Sequence, residues 1–452
     1  MENLVISISG IRGVYGQALT EEHALRAGKA FGLWAKEENV IVGRDTRKSG
    51  ENLKESFVCG LLDTGKNVYD AGIVPTPALT WFVEKYDGFC GAVITASHNP
   101  QQYNGIKLIS PSGSFLNLNE FKAFLNIYRS LKKNRSIKTG DYYRYDVLMD
   151  QFFESLINCI DHKVIKEKKF KVVVDPVQGA GALYSRKFLE MLGCSVVMIN
   201  ETPAGEFSHN PEPLPCNLDL LSNEVVNNSA SVGFAQDPDC DRLALVAEDG
   251  SFISEENGLA LLIRWMLQNK RGPVVVNVAT TKIIDDICTQ FDVKLLRTKV
   301  GEVHVVEKMK KIGAVAGGEG NGGIVMPVFH YGRDSFAGMA LTLEMMAKMN
   351  LRLSEMLKYL PKYFFIKKKV DFPITLIRRL YRRLEKQFSS SRISHPDGLR
   401  IDFEDGWIGV RPSGTEPIIR IFVECKEKER ALANLKVIEN HITFFCKNSR
   451  LL

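Results

Sequence analysis

Short β-branched runs alternate with amphipathic helical segments along most of this 452-residue chain, and that alternation constrains its fold more than any other feature. Strands and helices in such an order bury their apolar faces against one another in layers, so the pattern predicts an α/β protein. The clearest unit spans Phe170 to Asn200. It has a β-branched run at Lys171 to Asp175, a turn over Pro176 to Gly181, a helix from Ala182 to Leu192 stopped by Gly193, and a second strand at Ser195 to Ile199. An earlier unit reads as helix Glu21 to Lys36, strand Val40 to Val42, helix Gly50 to Gly65 and strand Asn67 to Asp70. A later one reads as helix Glu255 to Gln268, strand Pro273 to Val278 and helix Thr281 to Phe291. Three modules of similar rhythm thus run to about residue 365, with no residue-level repeat.

At about 150 residues per domain the length suggests roughly three domains, and the composition shifts divide it into four. The polar stretch Asn134 to Asp141 and a helix at Asp146 to Ile160 close the first, and Glu248 to Ser254 marks the second boundary. After Leu360-Pro361 the chain becomes more basic and loses the alternation. The expected units are residues 1–150, 151–252, 253–365 and 366–452. The last reads as a smaller α+β domain with a helix, two short strands around Arg400 to Val410, a loop, and the strand Ile418 to Cys425.

Apolar residues at 45% and charged residues at 25% exclude disordered and collagen-like chains. A net charge of +6 is small for this length and tilts the chain toward anionic partners, phosphorylated metabolites or nucleic acid. The basic clusters are local, at Lys132 to Lys138, Lys367 to Lys369 and Arg378 to Lys386. The last interleaves with Leu380, Tyr381 and Leu384 at helical spacing, which reads as a solvated helix face rather than a nucleic-acid patch. Nine scattered cysteines without a C-x-x-C pair argue against a disulfide scaffold or structural zinc and for reduced thiols. The first residues carry Glu2 and no basic stretch, unlike a signal peptide, and no run of about 18 apolar residues occurs. A cytoplasmic protein with no membrane or nucleic-acid partner is expected.

Four polar loops carry the chemistry. Thr95-Ala96-Ser97-His98-Asn99-Pro100 follows the apolar strand Gly91 to Ile94, where α/β sheets place ligands. Ser97 beside His98 suits a nucleophile or phosphate carrier, or an ordinary hydrogen-bonded turn, and Lys107 follows close enough to reach the same pocket. In Asp237-Pro238-Asp239-Cys240-Asp241-Arg242, three carboxylates at alternate positions of extended backbone project to one side. Their repulsion calls for a cation, and oxygen ligands suit Mg²⁺ or Ca²⁺ better than zinc. A solvated acidic turn is the plain alternative, and Arg242 adds a phosphate-binding fork. Gly317 to Gly323 formally contains G-x-G-x-x-G, but the helix that motif needs does not follow, because Ile324 to Val328 is strand-like and holds Pro327. Its glycines let backbone approach a ligand while Glu319 and Asn321 bind hydroxyls, or else they form a structural turn. Arg411-Pro412-Ser413-Gly414-Thr415-Glu416-Pro417 has the donors of an anion-binding nest or of a plain connection.

One such loop per domain, in this order, resembles the motif set of the α-D-phosphohexomutase superfamily over nearly the whole chain. Ser9-Gly10-Ile11-Arg12-Gly13 and Gly43-Arg44-Asp45-Thr46-Arg47 are similar to further family motifs. The resemblance implies three mixed-sheet α/β layers and a smaller C-terminal α+β domain around a central cleft. It also implies reversible transfer between the 1- and 6-positions of a hexose phosphate through a 1,6-bisphosphate, which also acts as activator. On that reading Ser97 carries the phosphoryl group as phosphoserine and Mg²⁺ binds it together with Asp237, Asp239 and Asp241. Lys107 is then the general acid/base, with Arg12, His98 and Arg242 near the transferring group. Glu319 and Asn321 hold sugar hydroxyls, and Arg411, Ser413, Gly414 and Thr415 clamp the distal phosphate. The Glu319-Gly320-Asn321-Gly322 loop is most similar to forms in phosphoglucosamine mutases and acetylglucosamine-phosphate mutases. Glu302 replaces a histidine found in many phosphomannomutases, and its carboxylate suits a cationic 2-amino group. Glucosamine 6-phosphate is therefore the expected substrate, with glucose or mannose phosphates as the alternative. The remaining classes are a Mg²⁺-dependent phosphatase, which leaves Ser97 and the sugar loop unexplained, a kinase, which lacks a G-x-x-x-x-G-K-[ST] loop, and a non-catalytic binder. The expected partner is a small hexose phosphate, and the expected assembly a monomer or homodimer.

Overall fold

The computed structural model describes residues 4–131, 139–413 and 418–448, with side chains of the last helix up to Phe445. Lys132 to Lys138, Gly414, Thr415 and the Cys446 side chain lie outside these residues. The described strands form four sheets. The first holds β1 (Val5–Ser7), β2 (Gly10–Val14), β3 (Asn39–Arg44), β4 (Asn67–Ile73), β5 (Phe89–Ile94), β6 (Tyr103–Ile109) and β7 (Tyr142–Arg144), in the order β1-β2-β6-β5-β3-β4-β7. The second holds β8 (Lys171–Asp175), β9 (Ser195–Met198), β10 (Val232–Gln236), β11 (Leu243–Ala247) and β12 (Phe252–Ile253), in the order β12-β11-β10-β8-β9. The third holds β13 (Val274–Asn277), β14 (Leu295–Thr298), β15 (Ala316–Glu319) and β16 (Gly323–Val325), in the order β14-β13-β15-β16.

These three sheets repeat one topology that the residues do not repeat. β5, β10 and β15 each lie parallel to an earlier strand, β3, β8 and β13 respectively. Each then pairs antiparallel with the strand that follows it, β6, β11 or β16. The connection after each central strand therefore leaves the carboxyl end of a parallel strand, where ligand chemistry collects in α/β sheets. Ser97, the Asp237 to Asp241 run and Asn321 all sit in those connections. The site is thus built from the same topological position three times over.

The fourth sheet joins β17 (Phe364–Asp371), β18 (Arg392–Ser394), β19 (Leu399–Phe403), β20 (Gly406–Pro412) and β21 (Ile418–Cys425) in the order β17-β21-β20-β19-β18. It is antiparallel throughout. Strand β17 falls where the alternation breaks down, because Lys367, Lys368 and Lys369 are exposed along it. It forms nonetheless, because its backbone pairs with β21 from Phe364 to Asp371 while Phe364, Ile366 and Val370 pack on the core. Lysines on an edge strand guard against pairing with other chains. A helix at Lys428–Asn448 follows the last predicted strand.

One buried cluster runs without a break from Ile41 and Trp81 through Phe152, Phe153 and Phe188 to Leu259 and Phe336. The first three layers are therefore one packed body. Its centre is the helix Ser335–Met349, buried from Ser335 to Ala347 on every face, as expected of a helix apolar all round. The fourth unit has a core of its own around Leu380, Ile401 and Ile421. Its contacts with the third layer include several polar ones. Glu424 accepts from Lys282 N–H (2.7 Å), Arg400 donates to the Val278 carbonyl (2.6 Å), and Asp397 accepts from Val300 N–H (3.2 Å). The described cysteines are unbridged, Cys90, Cys194, Cys240, Cys288 and Cys425 being buried. Among the described residues no helix is long and apolar enough to cross a membrane.

Candidate active site

Strand β5 ends at Ile94, and the chain turns so sharply that Ser97 takes a left-handed φ of 50°. Such a backbone is costly for a side-chain-bearing residue and persists only where its surroundings hold it. Here Arg47, 1% exposed, does so: its guanidinium donates to the carbonyls of Ser97 (2.6 Å), Asn99 (2.7 Å), Pro100 (2.8 Å) and Tyr103 (3.0 Å). Its Nε donates to Asp45, which also accepts from Thr95 Oγ1 (2.6 Å), and Thr95 Oγ1 accepts the Ser97 N–H (2.9 Å). The strained loop aims the Ser97 hydroxyl at the second layer, where it donates to Asp237 Oδ2 at 2.7 Å.

The metal-loop carboxylates converge, though not by the alternation of an extended strand. Residues 238–240 form a turn closed by Cys240 N–H on the Asp237 carbonyl (2.9 Å), with Cys240 at φ 60°. The pleat ends with β10 at Gln236, and the turn gathers Asp237, Asp239 and Asp241 so that one oxygen of each lies within 4.8 Å of the others. Asp237 accepts from Ser97 and from Arg242 N–H (3.1 Å). Asp239 Oδ2 accepts from Lys107 Nζ (2.7 Å) and Thr76 Oγ1 (2.8 Å). Asp241 Oδ2 accepts from Lys107 Nζ (3.2 Å) and Arg333 Nη2 (2.6 Å). Asp239 Oδ1 and Asp241 Oδ1 are buried and accept no hydrogen bond, with Arg242 Nε 4.0 Å from the latter.

Two buried acceptor oxygens left over in an all-oxygen set fit a divalent cation such as Mg²⁺. The charges agree with that. Burial, then Asp241 and Asp239, push the Asp237 carboxyl well above its ordinary value, a repulsion that a bound cation relieves. Burial opposes ionisation of Asp241 too, but Arg333, Lys107 and Arg242 outweigh it and hold that carboxyl low. Burial disfavours the charged form of Lys107, yet Asp239 and Asp241 outweigh it and raise the ammonium above its ordinary value. His98 lies with Nδ1 3.4 Å from Ser97 Oγ and Nε2 3.4 Å from Arg242. Burial and the cations Arg242 and Arg12 hold its ring neutral. Arg12 donates to Asn99 Oδ1 at 2.7 Å on the same rim.

The Gly317 to Gly323 loop meets the Asp237 to Arg242 loop through the side chain of Arg333, a residue that no sequence motif marks. Arg333 spans Asp241 (2.6 Å), Glu302 (Nε to Oε2 2.9 Å; N–H to Oε1 3.1 Å) and Glu319 (3.3 Å). Glu319 also accepts from Asn277 Nδ2 and Gly301 N–H, both at 2.8 Å. The Asn321 amide, oriented to satisfy both its ends, accepts from Arg333 Nη1 at 3.0 Å. The glycines of this loop open space for the protein's own side chains. A Cβ on Gly323 would lie 2.3 Å from Arg333 Cδ, and one on Gly320 would lie 2.0 Å from Glu256 Oε1.

That same Glu256 ties the fourth unit to the loop. Lys367 on β17 reaches Glu256 Oε1 (2.7 Å) and the Gly320 carbonyl (2.8 Å). Burial raises the Glu256 carboxyl to about 7 against the pull of Lys367. The native state then keeps a proton that the unfolded chain releases. Between pH 4.5 and 7 this group's contribution to stability therefore falls as pH rises, by on the order of 3 kcal/mol. The change in melting temperature caused by Glu256→Gln is expected to be more favourable at pH 8 than at pH 5; the same change at both would contradict this. Arg411, at the end of β20, lies 3.1 Å from Asp397, whose other partner is Val300 N–H. Ser413 N–H donates to the Ile418 carbonyl (2.9 Å), and Gly414 and Thr415 lie outside the described residues.

Several of these residues carry no motif that marks them. Glu212 pairs with Arg242 (3.3 Å) and lies 3.9 Å from His98, but its only sequence signal is a proline-rich loop, Pro211 to Pro215. Thr76 begins a helix in another part of the first layer, and Arg333 stands in what reads as a connection.

A serine hydroxyl set on a buried carboxylate triad, on three repeated α/β layers with a fourth α+β unit, is suited to cation-assisted phosphoryl transfer. Models of the phosphoglucomutase/phosphomannomutase family match the chain throughout: its alpha/beta/alpha domain I at residues 5–135, domain II at 150–250, domain III at 255–364 and the C-terminal domain at 368–440. The chain belongs to this family, within the α-D-phosphohexomutase superfamily. A phosphoglucomutase/phosphomannomutase of Thermococcus kodakarensis is 39% identical, covering 95% of this chain and 96% of its own. A probable phosphoglucosamine mutase of Pyrococcus abyssi is 36% identical, covering 94% of each. The crystal structure of a phosphoglucomutase/phosphomannomutase family protein from Burkholderia thailandensis superposes with a TM-score of 0.85 at 27% identity, over 97% of each chain.

Proposed function

We propose that the protein interconverts hexose 6-phosphate and hexose 1-phosphate through a phosphoserine at Ser97 and a 1,6-bisphosphate. The observation that carries this reading is the meeting of Ser97 Oγ with Asp237, 2.7 Å away, while Lys107 bridges Asp239 and Asp241. A divalent cation held by Asp237, Asp239 and Asp241 supplies charge neutralisation for the transferring phosphoryl group. The chain's own groups do the rest. The sugar O1 attacks phosphorus, the bond from phosphorus to Ser97 Oγ breaks, and Ser97 is left as the alkoxide that attacks the 6-phosphoryl group in the second half. Lys107 Nζ exchanges the proton with the sugar oxygens: as the neutral amine it takes the O1 proton while the new bond to phosphorus forms, and as the ammonium that Asp239 and Asp241 favour it returns that proton to the 6-oxygen when the 6-phosphoryl leaves. Arg12, His98 and Arg242 line the approach, and Arg411 with Ser413, Gly414 and Thr415 binds the phosphate that does not react. In the second half the bisphosphate returns its 6-phosphoryl to Ser97 and leaves as the 1-phosphate. Positioning and electrostatics carry such a transfer, with little covalent help needed beyond the serine.

Two substrate readings rest on different observations. Glu302 and Glu319 place carboxylates at the sugar end, which favours the ammonium of glucosamine 6-phosphate. Arg333 takes both oxygens of Glu302, which favours a neutral glucose or mannose phosphate instead. Each oxygen keeps a free lone pair, so we adopt the amino sugar as the first reading. The kcat/KM values for the 6-phosphates of glucosamine, glucose and mannose decide between them, measured with Mg²⁺ and a trace of hexose 1,6-bisphosphate. Glu302→Gln is expected to cost about tenfold more on glucosamine 6-phosphate than on glucose 6-phosphate. Equal losses on both would remove Glu302 as the amine partner.

A further inference from the structure

Arg333 is the group through which the metal loop and the sugar loop touch electrostatically. Its side chain is 10% exposed, and the guanidinium lies between Asp241 on one side and Glu302 and Glu319 on the other. Each nitrogen of the fork is engaged: Nη2 on Asp241, Nε on Glu302 and Nη1 on Glu319. Its aliphatic stem runs over Gly323, where any side chain would displace it, and its backbone forms a bridge with Val325. The loop is therefore shaped around this residue.

We infer that Arg333 is a positioning residue that holds the sugar-loop carboxylates in place while competing with a divalent cation for Asp241, so that cation affinity and sugar affinity are opposed through one guanidinium. The inference rests on the mutase reading for its sugar half. On the metal side, Asp241 Oδ2 carries both Arg333 and Lys107, two positive charges beside the oxygens that would hold the cation. Removing one of them deepens the negative potential there. On the sugar side, Nε on Glu302 Oε2 and Nη1 on Glu319 Oε2 neutralise both carboxylates; without the guanidinium, among the described residues, Glu302 keeps only the Arg333 N–H, Glu319 keeps only Asn277 and Gly301, and the two carboxylates repel. A residue that served only to hold the fold together would weaken both functions when removed.

The test measures binding alone, with Mn²⁺ followed by its free-ion EPR signal and glucosamine 6-phosphate or glucose 6-phosphate followed by calorimetry. Arg333→Met is expected to tighten Mn²⁺ by about tenfold and to weaken the hexose 6-phosphate by about tenfold. Arg333→Lys keeps the charge and loses the fork, so Mn²⁺ binding stays within about threefold of wild type while hexose 6-phosphate binding still weakens. It also serves as the folded variant should the methionine form not fold. Shifts of both ligands in the same direction in Arg333→Met, or a lysine variant with unchanged sugar affinity, overturn the inference while leaving the mutase reading intact. A wild-type protein that binds Mn²⁺ and neither hexose 6-phosphate overturns the mutase reading, and the inference with it.

Discussion

Ser97→Ala is expected to lower hexose-phosphate turnover on the order of 10⁴-fold or more, with the fold unchanged. The substitution removes only the hydroxyl that donates to Asp237. The loop is held by backbone groups that alanine retains, the Ser97 carbonyl on Arg47 and the Ser97 N–H on Thr95. Alanine at φ 50° adds no strain that serine lacks beyond about 1 kcal/mol. Turnover and melting temperature measured together check the prediction. An alanine variant that turns over at the wild-type rate would end the phosphoserine mechanism, and one that melts far below wild type would make its inactivity uninformative.

Asp239→Asn is the second large effect, with turnover reduced by about 10³-fold and divalent-cation affinity falling with it. Asparagine fills the same space and still accepts from Lys107 and Thr76, whose contacts are to Oδ2. What it removes is the charge at the buried, unpartnered Oδ1, one of the two acceptor oxygens left for a cation. Chelated wild-type protein is expected to regain activity on addition of Mg²⁺, whereas the asparagine variant at the same concentration is not. Equal recovery in both would mean that these aspartates are a structural turn and that the cation, if one is needed, binds elsewhere.

The parts of this account legible in the sequence are those in which chemistry is packed into one short loop. The Thr95 to Pro100 and Asp237 to Arg242 runs stand out because charged and hydroxyl groups interrupt apolar strands. Their place at strand ends follows from the same alternation that predicted the layers. Harder to see was how the carboxylates converge: alternation along an extended strand suggested a common side, but the strand stops at Gln236 and a turn with Cys240 at φ 60° does the gathering. The roles of residues that act across long stretches of chain were not legible. Arg47 holds the serine loop from about 50 positions away, and Arg333 joins carboxylates on two other elements. Arg47 falls in the Gly43 to Arg47 motif, but nothing there points to the serine loop as its partner, and nothing in the local pattern marks Arg333, since a lone arginine in a connection has the composition of any solvated loop. The glycines of Gly317 to Gly323 suit either the approach of a ligand or a structural turn, and Gly320 and Gly323 make room for the protein's own Glu256 and Arg333. Strand β17 hid behind its lysines, because edge pairing depends on the partner β21 and not on the pattern of β17 itself.

The central claim is that Ser97 carries the transferred phosphoryl group, and intact-mass and peptide mass spectrometry after incubation with hexose 1,6-bisphosphate and Mg²⁺ tests it most directly. The account predicts one phosphoryl group per chain, located on Ser97 and discharged when excess hexose 6-phosphate is added, with 1,6-bisphosphate appearing in the same amount. No added phosphoryl group, or one on a different residue that hexose 6-phosphate fails to discharge, would contradict it.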